Sequence, residues 1–361
     1  MHNLKKAQLI SPLLTAFLLT LTALLAANAP AAAAVISEQI ALCLNTLIPS
    51  LFGCTALAVL LQSTGACAWL SSKLRILQKL LRCDAEITGI FLVSQIAGYP
   101  VGALLLNRAV RSGRLSIRHA AVRSCFCFGG GPAFLVGLAG AQLFGCPAAG
   151  WWMLAACCCS NLLLGVLLRP KQKEDHISDA PAPAAGFSRD SLPDAVSAAM
   201  QSLARICGTV LFFGIIRLFC EWLGILPLLI RIGLLCGLPA QMTRAFFAVL
   251  TDVSQLPLLF SCGLPLHILL PLCAGFLSFG GLCVHCQCLA LGCGIKLRKL
   301  LLFRLAAAVL SACLMLPAAH FLPLSGSAAV FAQHAAISRS GSVFPSLLIF
   351  CTGFPLLIKK D

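Results

Sequence analysis

The sequence predicts an all-α polytopic membrane protein. Of its 361 residues, 60% are hydrophobic and only 10% are charged, and the mean hydropathy is +0.97. A soluble domain usually carries about 25% charged residues, so this chain cannot cover a water-facing surface. The apolar residues also form repeated runs close to the roughly 20 residues that a helix needs to cross a bilayer. We therefore expect about eight spanning helices plus two re-entrant helical hairpins, arranged in two related halves.

Ten apolar runs are the candidate membrane segments. They cover residues 9–29, 39–62, 87–106, 125–145, 148–168, 206–229, 245–262, 266–293, 300–322 and 343–358. The first run follows two lysines and precedes ANAPAAAA, as in a cleaved signal peptide. Its length exceeds that of a usual signal core, which favours a retained span.

A polar stretch divides the chain into two membrane halves. Five of the eleven acidic residues lie between positions 171 and 195, in a segment rich in Pro, Ala and Gly that has no apolar period. Such composition is typical of a linker. We predict a first half over 1–168, a linker over 169–200 and a second half over 201–361.

The net charge of +15 comes from basic clusters beside the apolar runs. These clusters are Lys5 and Lys6; Lys73, Arg75, Lys79 and Arg82; Arg108, Arg111, Arg114, Arg118 and Arg123; Arg169, Lys171 and Lys173; Lys296, Arg298, Lys299 and Arg304; and Lys359 and Lys360. Such an excess of Lys and Arg marks cytoplasmic loops. The expected partner is therefore a lipid bilayer, and nucleic acid is not an expected partner.

The same clusters predict where the chain turns back. If every cluster is cytoplasmic, the run 87–106 begins and ends on one side, because Arg82 precedes it and Arg108 follows it. By the same argument the run 266–293 is a second hairpin, since it must meet Lys296 inside. Paired transporter repeats are often inverted, but inversion would place the 295–304 loop outside, so the orientation of the second half stays open.

The 21 cysteines predict packing rather than chemistry, because most lie singly in apolar runs, where free Cys behaves as a small buried residue. One cluster has metal-like spacing, Cys283, His285, Cys286 and Cys288, but no second ligand pair accompanies it. No P-loop is present, and no nucleophile with a paired His stands out beyond this cluster. We therefore expect no metal, no cofactor and no enzymatic activity.

Glycine and proline interrupt the apolar runs in both halves. SQIAGYPVGA contains Gly98, Tyr99 and Pro100, and CFGGGPAFLVG contains Gly131 and Pro132. Non-helical backbone at membrane depth is tolerated only where it is buried or lines a cavity. A helix that starts at such a break aims free N–H groups at whatever occupies it. The alternative interpretation is close helix packing, which also uses small residues.

The second half has its own break in AGFLSFGGLCVHCQCLA. Gly280 and Gly281 lie beside the polar residues His285 and Gln287. Aligning Gly98 with Gly281 gives a weak similarity between the two predicted hairpins. His285 either carries charge when protonated or is a packing residue.

Asp252 is the candidate ion-coupling residue. It lies in the apolar run FFAVLTDVSQLPLL, and a carboxylate at membrane depth is a functional hypothesis by default. Arg244, two turns away on the same predicted helix, is a plausible partner and would make the acid structural.

Four motifs carry a resemblance to a known family. They are ISEQIALCLNTLIPSLFGC with Asn45, GYPVGA, FCFGGGPAFLVGLAGAQLFG and FLSFGGLCVHCQCLA. Together they resemble the YlbJ-type sporulation integral membrane proteins, which are similar to nucleoside-recognition or Gate-domain transporters. The resemblance covers about 38 to 320. It departs from the family at Asp252, where the family often has Glu, and at Leu256, where the family has Gly.

This resemblance implies a sporulation transporter in the outer forespore membrane of a bacterial cell. The expected solute is small and anionic or nucleoside-like, with dipicolinic acid foremost; the alternative is a non-transporting scaffold for spore-envelope (cortex) assembly. A homo-oligomer is compatible with the sequence. No Arg or Lys lies inside the breaks, so we expect backbone N–H groups and neutral donors to hold the solute. The predicted substrate-binding residues are Asn45, Gly98, Tyr99, Pro100, Gly131, Pro132, Gly280, Gly281, His285 and Gln287.

Overall fold

The computed structural model describes residues 2–169 and 187–322, with side chains from residue 14 onward. Every regular element in these ranges is helical. The α-helices are α1 His2–Ala27, α2 Ala29–Leu42, α3 Ile48–Ser63, α4 Ala66–Ser72, α5 Arg75–Leu81, α6 Ala85–Ala97, α7 Val101–Arg111, α8 Ile117–Arg123, α9 Pro147–Leu167, α10 Ser191–Trp222, α11 Ile225–Leu235, α12 Ala240–Thr251, α13 Leu266–Phe279, α14 Gly281–Ala290, α15 Leu297–Met315 and α16 Ala318–Phe321. Cys43–Leu47 and Ala133–Leu143 are π-helical, and Val253–Cys262 is a 3-10 helix.

The all-α prediction is confirmed for the described residues. Five helices there are long and apolar enough to cross a membrane, as expected of an integral membrane protein. These are Ala29–Ser63, Pro147–Leu167, Ser191–Trp222, Leu266–Ala290 and Leu297–Phe321. The count of about eight spans plus two re-entrant hairpins stays a prediction. The predicted run 343–358 and most of the predicted linker lie outside the described residues.

Local sequence explains where several of these helices begin. The Asp84 carboxylate accepts a hydrogen bond from the Ile87 N–H (2.7 Å), and the Ser116 hydroxyl accepts one from the His119 N–H (3.3 Å). These side chains satisfy N–H groups that have no partner within the first helical turn. Pro147 occupies the first turn of α9, where its missing N–H removes no helical hydrogen bond.

Helices α6 and α7 form the first hairpin, residues 85–111, with its tip at 98–100. Its two ends meet, because Glu86 at the start of α6 pairs with Arg114 just beyond α7 at 2.5 Å. At the base of this hairpin Arg108 also pairs with Asp194 at the start of α10 (2.7 Å). We call this end of the molecule the basic end.

The second hairpin differs from the one predicted. It consists of α12 and the 3-10 helix, residues 240–262, with its tip at Asp252. Its ends meet where the Gln241 side chain donates a hydrogen bond to the Ser261 carbonyl (2.8 Å). Near this base, Arg244 pairs with Glu221 at the far end of α10 (2.9 Å). The two hairpins therefore have their bases at opposite ends of α10.

The predicted hairpin over 266–293 is instead a helix interrupted at Gly280. Helices α13 and α14 together lie along α15, so that His267 near the start of α13 stacks on His320 beyond the end of α15 (6.5 Å between ring centroids). At the other extreme, the Cys293 thiol contacts the Ala103 carbonyl of the first hairpin (3.2 Å). The segment thus runs antiparallel to α15, because its start lies beside the end of α15 and its own end leads directly into the start of α15 at Leu297.

The segment 117–143 of the first half is also interrupted, and it runs from one end of the molecule to the other. Its start at Ile117 contacts Gly294 beside the basic end. Beyond its other end, Phe144 packs edge-on against Phe260 at the base of the second hairpin (4.9 Å between centroids). Gly129, Gly130 and Gly131 interrupt it. Each half thus presents a long helix, a hairpin, an interrupted segment and a further long helix, in that order.

Candidate functional site

The four backbone interruptions surround one cavity of about 50 Å³. One water needs roughly 10 to 15 Å³ measured in this way, so the space holds several waters. The walls come from both halves of the chain. The lining residues are Leu47, Ser50, Leu51, Cys54, Ile96, Ala97, Gly98, Tyr99, Gly130, Gly131, Ala133, Phe134, Ile206, Val210, Asp252, Val253, Ser254, Cys283, Val284 and Gln287.

The two interruptions of the first half touch each other. Gly98 has φ +82° and ψ 166°, a conformation that is essentially restricted to glycine. A Cβ placed on Gly98 would lie 3.0 Å from the Gly131 nitrogen. A Cβ on Gly102, one turn further, would overlap the Cys127 carbonyl. Glycine therefore allows both the turn at the hairpin tip and its close contact with the second interruption.

The two interruptions of the second half form a matching pair. Gly281 has φ +74°, and a Cβ there would lie 2.8 Å from the Val253 nitrogen and 3.3 Å from the Asp252 Cα. Asp252 is extended, with φ −147° and ψ 110°, and this conformation ends α12. Gly281 therefore contacts Asp252 at the tip of the second hairpin. The comparison of the two halves by sequence had instead treated Gly281 as the equivalent of Gly98.

Polar side chains without hydrogen-bond partners are buried at this cavity. They are the Tyr99 hydroxyl, the Oδ2 oxygen of Asp252 and the Ser254 hydroxyl. Asp252 is 2% exposed, and its other oxygen, Oδ1, accepts a hydrogen bond from the Ser254 N–H (3.0 Å). The Gln287 amide donates only to the Cys283 sulfur (3.4 Å). Buried polar groups normally have partners, so this set is suited to receiving a polar solute or water.

The partner of Asp252 is Arg217 of α10, and the predicted pairing with Arg244 is wrong. Arg217 Nη1 lies 3.6 Å from Asp252 Oδ2, too far for a direct hydrogen bond. Arg244 is instead engaged with Glu221 at the surface. Sequence spacing favoured Arg244 because it is on the same helix as Asp252, but α12 ends at Thr251 and the carboxylate then turns toward α10.

The structure separates the predicted site residues into three groups. The residues that line the cavity are Gly98, Tyr99, Gly131, Gln287 and Asp252. The residues that belong to the interruptions without lining it are Pro100, Pro132, Gly280 and Gly281. His285 and Asn45 lie elsewhere.

His285 and Asn45 are excluded from the cavity for different reasons. The His285 ring packs between Phe128 and Phe279, at 5.8 and 4.7 Å between centroids, and its Nδ1 contacts the Gly281 carbonyl (2.5 Å). This placement matches the packing interpretation of His285. Asn45 lies in the π-helical turn between α2 and α3 and is exposed.

Arg304 lies at the site, although the sequence pattern assigned it to a basic loop. It is fully buried, and it donates hydrogen bonds to the Cys125 carbonyl (3.0 Å), to Asn161 Oδ1 (2.7 Å) and to the Ser278 carbonyl and hydroxyl. Asn161 in turn donates to Gln95 Oε1 (2.8 Å) and to the Phe128 carbonyl. Arg304 therefore joins the C-terminal end of α13 to the chain just before the Gly129 to Gly131 interruption.

No Arg or Lys lies inside the interruptions themselves, but the fold brings the Arg304 side chain close to them. The Arg304 guanidinium is 4.2 Å from the centre of the Phe128 ring, and this ring is 5.2 Å from that of Tyr99. Arg304 was grouped with the basic loop because it follows Lys299 closely. Its position in LLLFRLAAAVL, two turns inside an apolar helix, is the signal that distinguishes it.

The side chains of Cys283, His285, Cys286 and Cys288 are not brought together as a group of metal ligands. Within residues 14–169 and 187–322, no group of three or more His, Cys, Asp or Glu side chains is placed to hold a metal ion.

Comparison with protein-family models, with curated proteins and with solved structures finds no match. The role of the cavity therefore has to be argued from its own chemistry.

Proposed function

We propose that the protein is a secondary transporter that moves a small polar solute through the central cavity. One observation carries the proposal. Two hairpin tips and two interrupted helices, one of each from each half, meet around a cavity that contains unpartnered polar groups. Transporters bind solutes at such breaks, near the membrane midplane, where half-helix ends and free backbone groups replace water.

The positions of the hairpin bases support an inverted repeat. The first hairpin starts from the basic end and the second from the opposite end, while α10 extends between them. The loop 291–296 lies at the basic end, where Gly292 is next to Asn107 and Gly294 is next to Ile117. An inverted second half thus keeps Lys296 on the same side as Arg108, so that inversion and the charge rule agree. Inversion conflicts with the charge rule only when the second hairpin is placed at 266–293.

The charges around the cavity are compatible with an anionic solute. Arg217 neutralises Asp252, and Arg304 lies behind Phe128, so these three side chains carry a net charge of +1. The resemblance to sporulation membrane proteins makes dipicolinate the first solute to test. It is a rigid aromatic dianion that could stack on Tyr99 while accepting hydrogen bonds from Gln287. A nucleoside-like solute is the second, because Asp252 Oδ2 accepts hydrogen bonds from N–H and O–H groups.

The function is tested by exchange of radiolabelled dipicolinate in liposomes that contain the purified protein. We expect labelled dipicolinate to exchange with unlabelled dipicolinate inside, and an excess of external dipicolinate to compete. Competition by nucleosides alone would reassign the solute class. No exchange of any of these solutes by monodisperse protein would favour the scaffold alternative.

The orientation of the two hairpins gives a prediction for labelling. An impermeant thiol reagent should modify Arg82→Cys and Arg108→Cys from the same side of the membrane and Gln241→Cys from the other side. Peptide mass spectrometry locates each modification despite the native cysteines. Modification of the first two positions from opposite sides would show that residues 87–106 cross the membrane fully.

Solute affinity should depend on Tyr99 and Gln287. Tyr99→Phe and Gln287→Leu each remove a donor that faces the cavity, and a lost hydrogen bond to a charged group costs about 1.5 to 3 kcal/mol. We expect dipicolinate to bind roughly tenfold to a hundredfold more weakly in each variant, measured by calorimetry on folded protein. Asn45→Leu is the control, because Asn45 lies outside the cavity. An unchanged affinity in both cavity variants would place the site elsewhere.

A further inference from the structure

We propose that Oδ2 of Asp252 is the binding site of a coupling proton, and that Arg217 receives a carboxylate of the solute when Asp252 becomes protonated. This inference rests on the proposed transport function and names its coupling ion. The two oxygens of the carboxylate differ. Oδ1 is occupied by the Ser254 N–H, whereas Oδ2 has no hydrogen-bond partner and lies 3.6 Å from Arg217. Oδ2 is thus the oxygen that is free to take a proton.

Arg217 is the one charged group that faces Asp252 among the described residues. The other ionisable groups around it are Cys43 next to α3, Cys283 of α14 and Tyr99 of the first hairpin tip. Thiols and phenols are ordinarily neutral near pH 7. The charge of this part of the site therefore depends on Arg217, on Asp252 and on what binds beside them.

The guanidinium favours a proton over a metal cation as the coupling ion. A sodium ion at Oδ2 would stand directly beside Arg217, and two like charges at that distance in a poorly solvated site repel strongly. Sodium also needs several further oxygen ligands, whereas a proton needs only the free lone pair of Oδ2. Protonation of Asp252 instead releases Arg217 from its counter-ion.

The exchange of partners keeps the charge next to Arg217 constant, while the second carboxylate of a dianion lowers the net charge of Arg217, Asp252, Arg304 and the solute together from +1 to 0. A proton from solution binds Oδ2, and the carboxylate becomes a neutral acid. Arg217 then lacks a counter-ion, and one carboxylate of the solute takes the place of Asp252. Burying a charge without compensation is unfavourable, so proton and anion bind together and leave together.

The position of Arg217 indicates the side from which they enter. Arg217 lies seven residues beyond the cavity-lining Val210, about 10 Å along α10 toward the end opposite the basic end. Its side chain is 15% exposed, while that of Asp252 is 3% exposed. Arg217 thus stands between the cavity and that end of the molecule.

The test uses liposomes containing the purified protein, with labelled dipicolinate as the probe and the membrane potential held at zero by potassium and valinomycin. The external solution is made one pH unit more acidic than the interior. If one proton moves with each solute, this gradient should drive about tenfold accumulation of dipicolinate inside liposomes that contain the wild type. A sodium gradient should drive none. Asp252→Asn should lose this accumulation, because the amide cannot take up the coupling proton. Accumulation driven by sodium, or unchanged by Asp252→Asn, would overturn the proposal.

The matched control is the surface ion pair between Glu221 of α10 and Arg244 of α12. Glu221→Gln and Arg244→Gln remove an exposed carboxylate and its arginine without touching the cavity. Both should retain accumulation driven by the pH gradient.

Arg217→Gln should weaken dipicolinate binding, since the anion loses its counter-ion, and Arg217→Lys should restore part of the affinity. Equal binding by Arg217→Gln and wild type would overturn the role of Arg217.

A second measurement does not depend on the solute. Infrared spectra of the protein in liposomes should show the carbonyl band of a protonated carboxylic acid that grows reversibly as the pH falls and is missing in Asp252→Asn. If dipicolinate is not exchanged but this band is present, the proposed solute is wrong and the proton site stands. If the band is unaffected by Asp252→Asn throughout the pH range in which the protein stays folded, the proton site is wrong.

Discussion

Arg304→Met should strongly destabilise the protein. The substitution leaves the Cys125 and Ser278 carbonyls and Asn161 Oδ1 without their donor inside the protein. An unsatisfied buried acceptor costs about 1 to 3 kcal/mol, so the total loss is several kcal/mol. Removing a buried charge recovers part of this loss, but the two backbone carbonyls remain whatever side chain replaces Arg304. The apparent melting temperature in detergent, followed by size-exclusion chromatography after heating, measures the effect.

Arg298→Met is the matched control for this prediction, because Arg298 is an exposed arginine in the first turn of the same helix. It should melt close to the wild type. Arg304→Lys should lie between the two, since it keeps the charge near Phe128 but loses the planar set of N–H donors. A wild-type melting temperature in Arg304→Met would show that the network through Asn161 does not hold the interruptions together.

Under the proposed transport function, Gly98→Ala should slow solute exchange by more than the loss of folded protein accounts for. A residue other than glycine at φ +82° and ψ 166° costs on the order of 1 to 3 kcal/mol. The added Cβ would also press on the Gly131 nitrogen at 3.0 Å, so the two interruptions of the first half must move apart. Both line the cavity, and we expect the rate of dipicolinate exchange per folded molecule to fall at least about tenfold, as for a group misplaced at a site.

Gly113 provides the control for Gly98. It also has a positive φ, +72°, but a Cβ there would meet nothing within 4 Å. Gly113→Ala should therefore carry the conformational cost alone and leave the exchange rate per folded molecule unchanged. If both alanine variants lose exchange equally, the effect comes from backbone strain and not from the contact between the interruptions.

The sequence alone identified the membrane environment and most of the cavity's polar lining. Charge depletion and the length of the apolar runs are properties of composition, and they are independent of how the helices pack. Gly98 and Asp252 were also identifiable locally, because glycine, proline and a carboxylate in an apolar run each conflict with an ordinary spanning helix. Tyr99 was identifiable because it lies between Gly98 and Pro100. Four of the five predicted residues that line the cavity belong to such interruptions or lie next to one.

The tertiary structure decided which of these residues meet. Asp252 pairs with Arg217, 35 residues earlier in the sequence, because α10 and the second hairpin pack together. Sequence spacing compares only neighbours on one helix and therefore favoured Arg244. The same limit explains Asn45, whose motif suggested a site residue although the π-helical turn directs it outward.

Arg304 shows the physical reason most clearly. A cluster of basic residues next to an apolar run is normally a cytoplasmic loop, and for Lys296, Arg298 and Lys299 that interpretation agrees with their exposure. Arg304 differs only in lying two turns inside the helix, where its charge must be satisfied by protein groups. Its acceptors come from residues 125, 161 and 278, which are distant in sequence and come together only when both halves are folded. The position of a charge inside an apolar run indicates that it is buried, whereas packing alone determines which groups satisfy it.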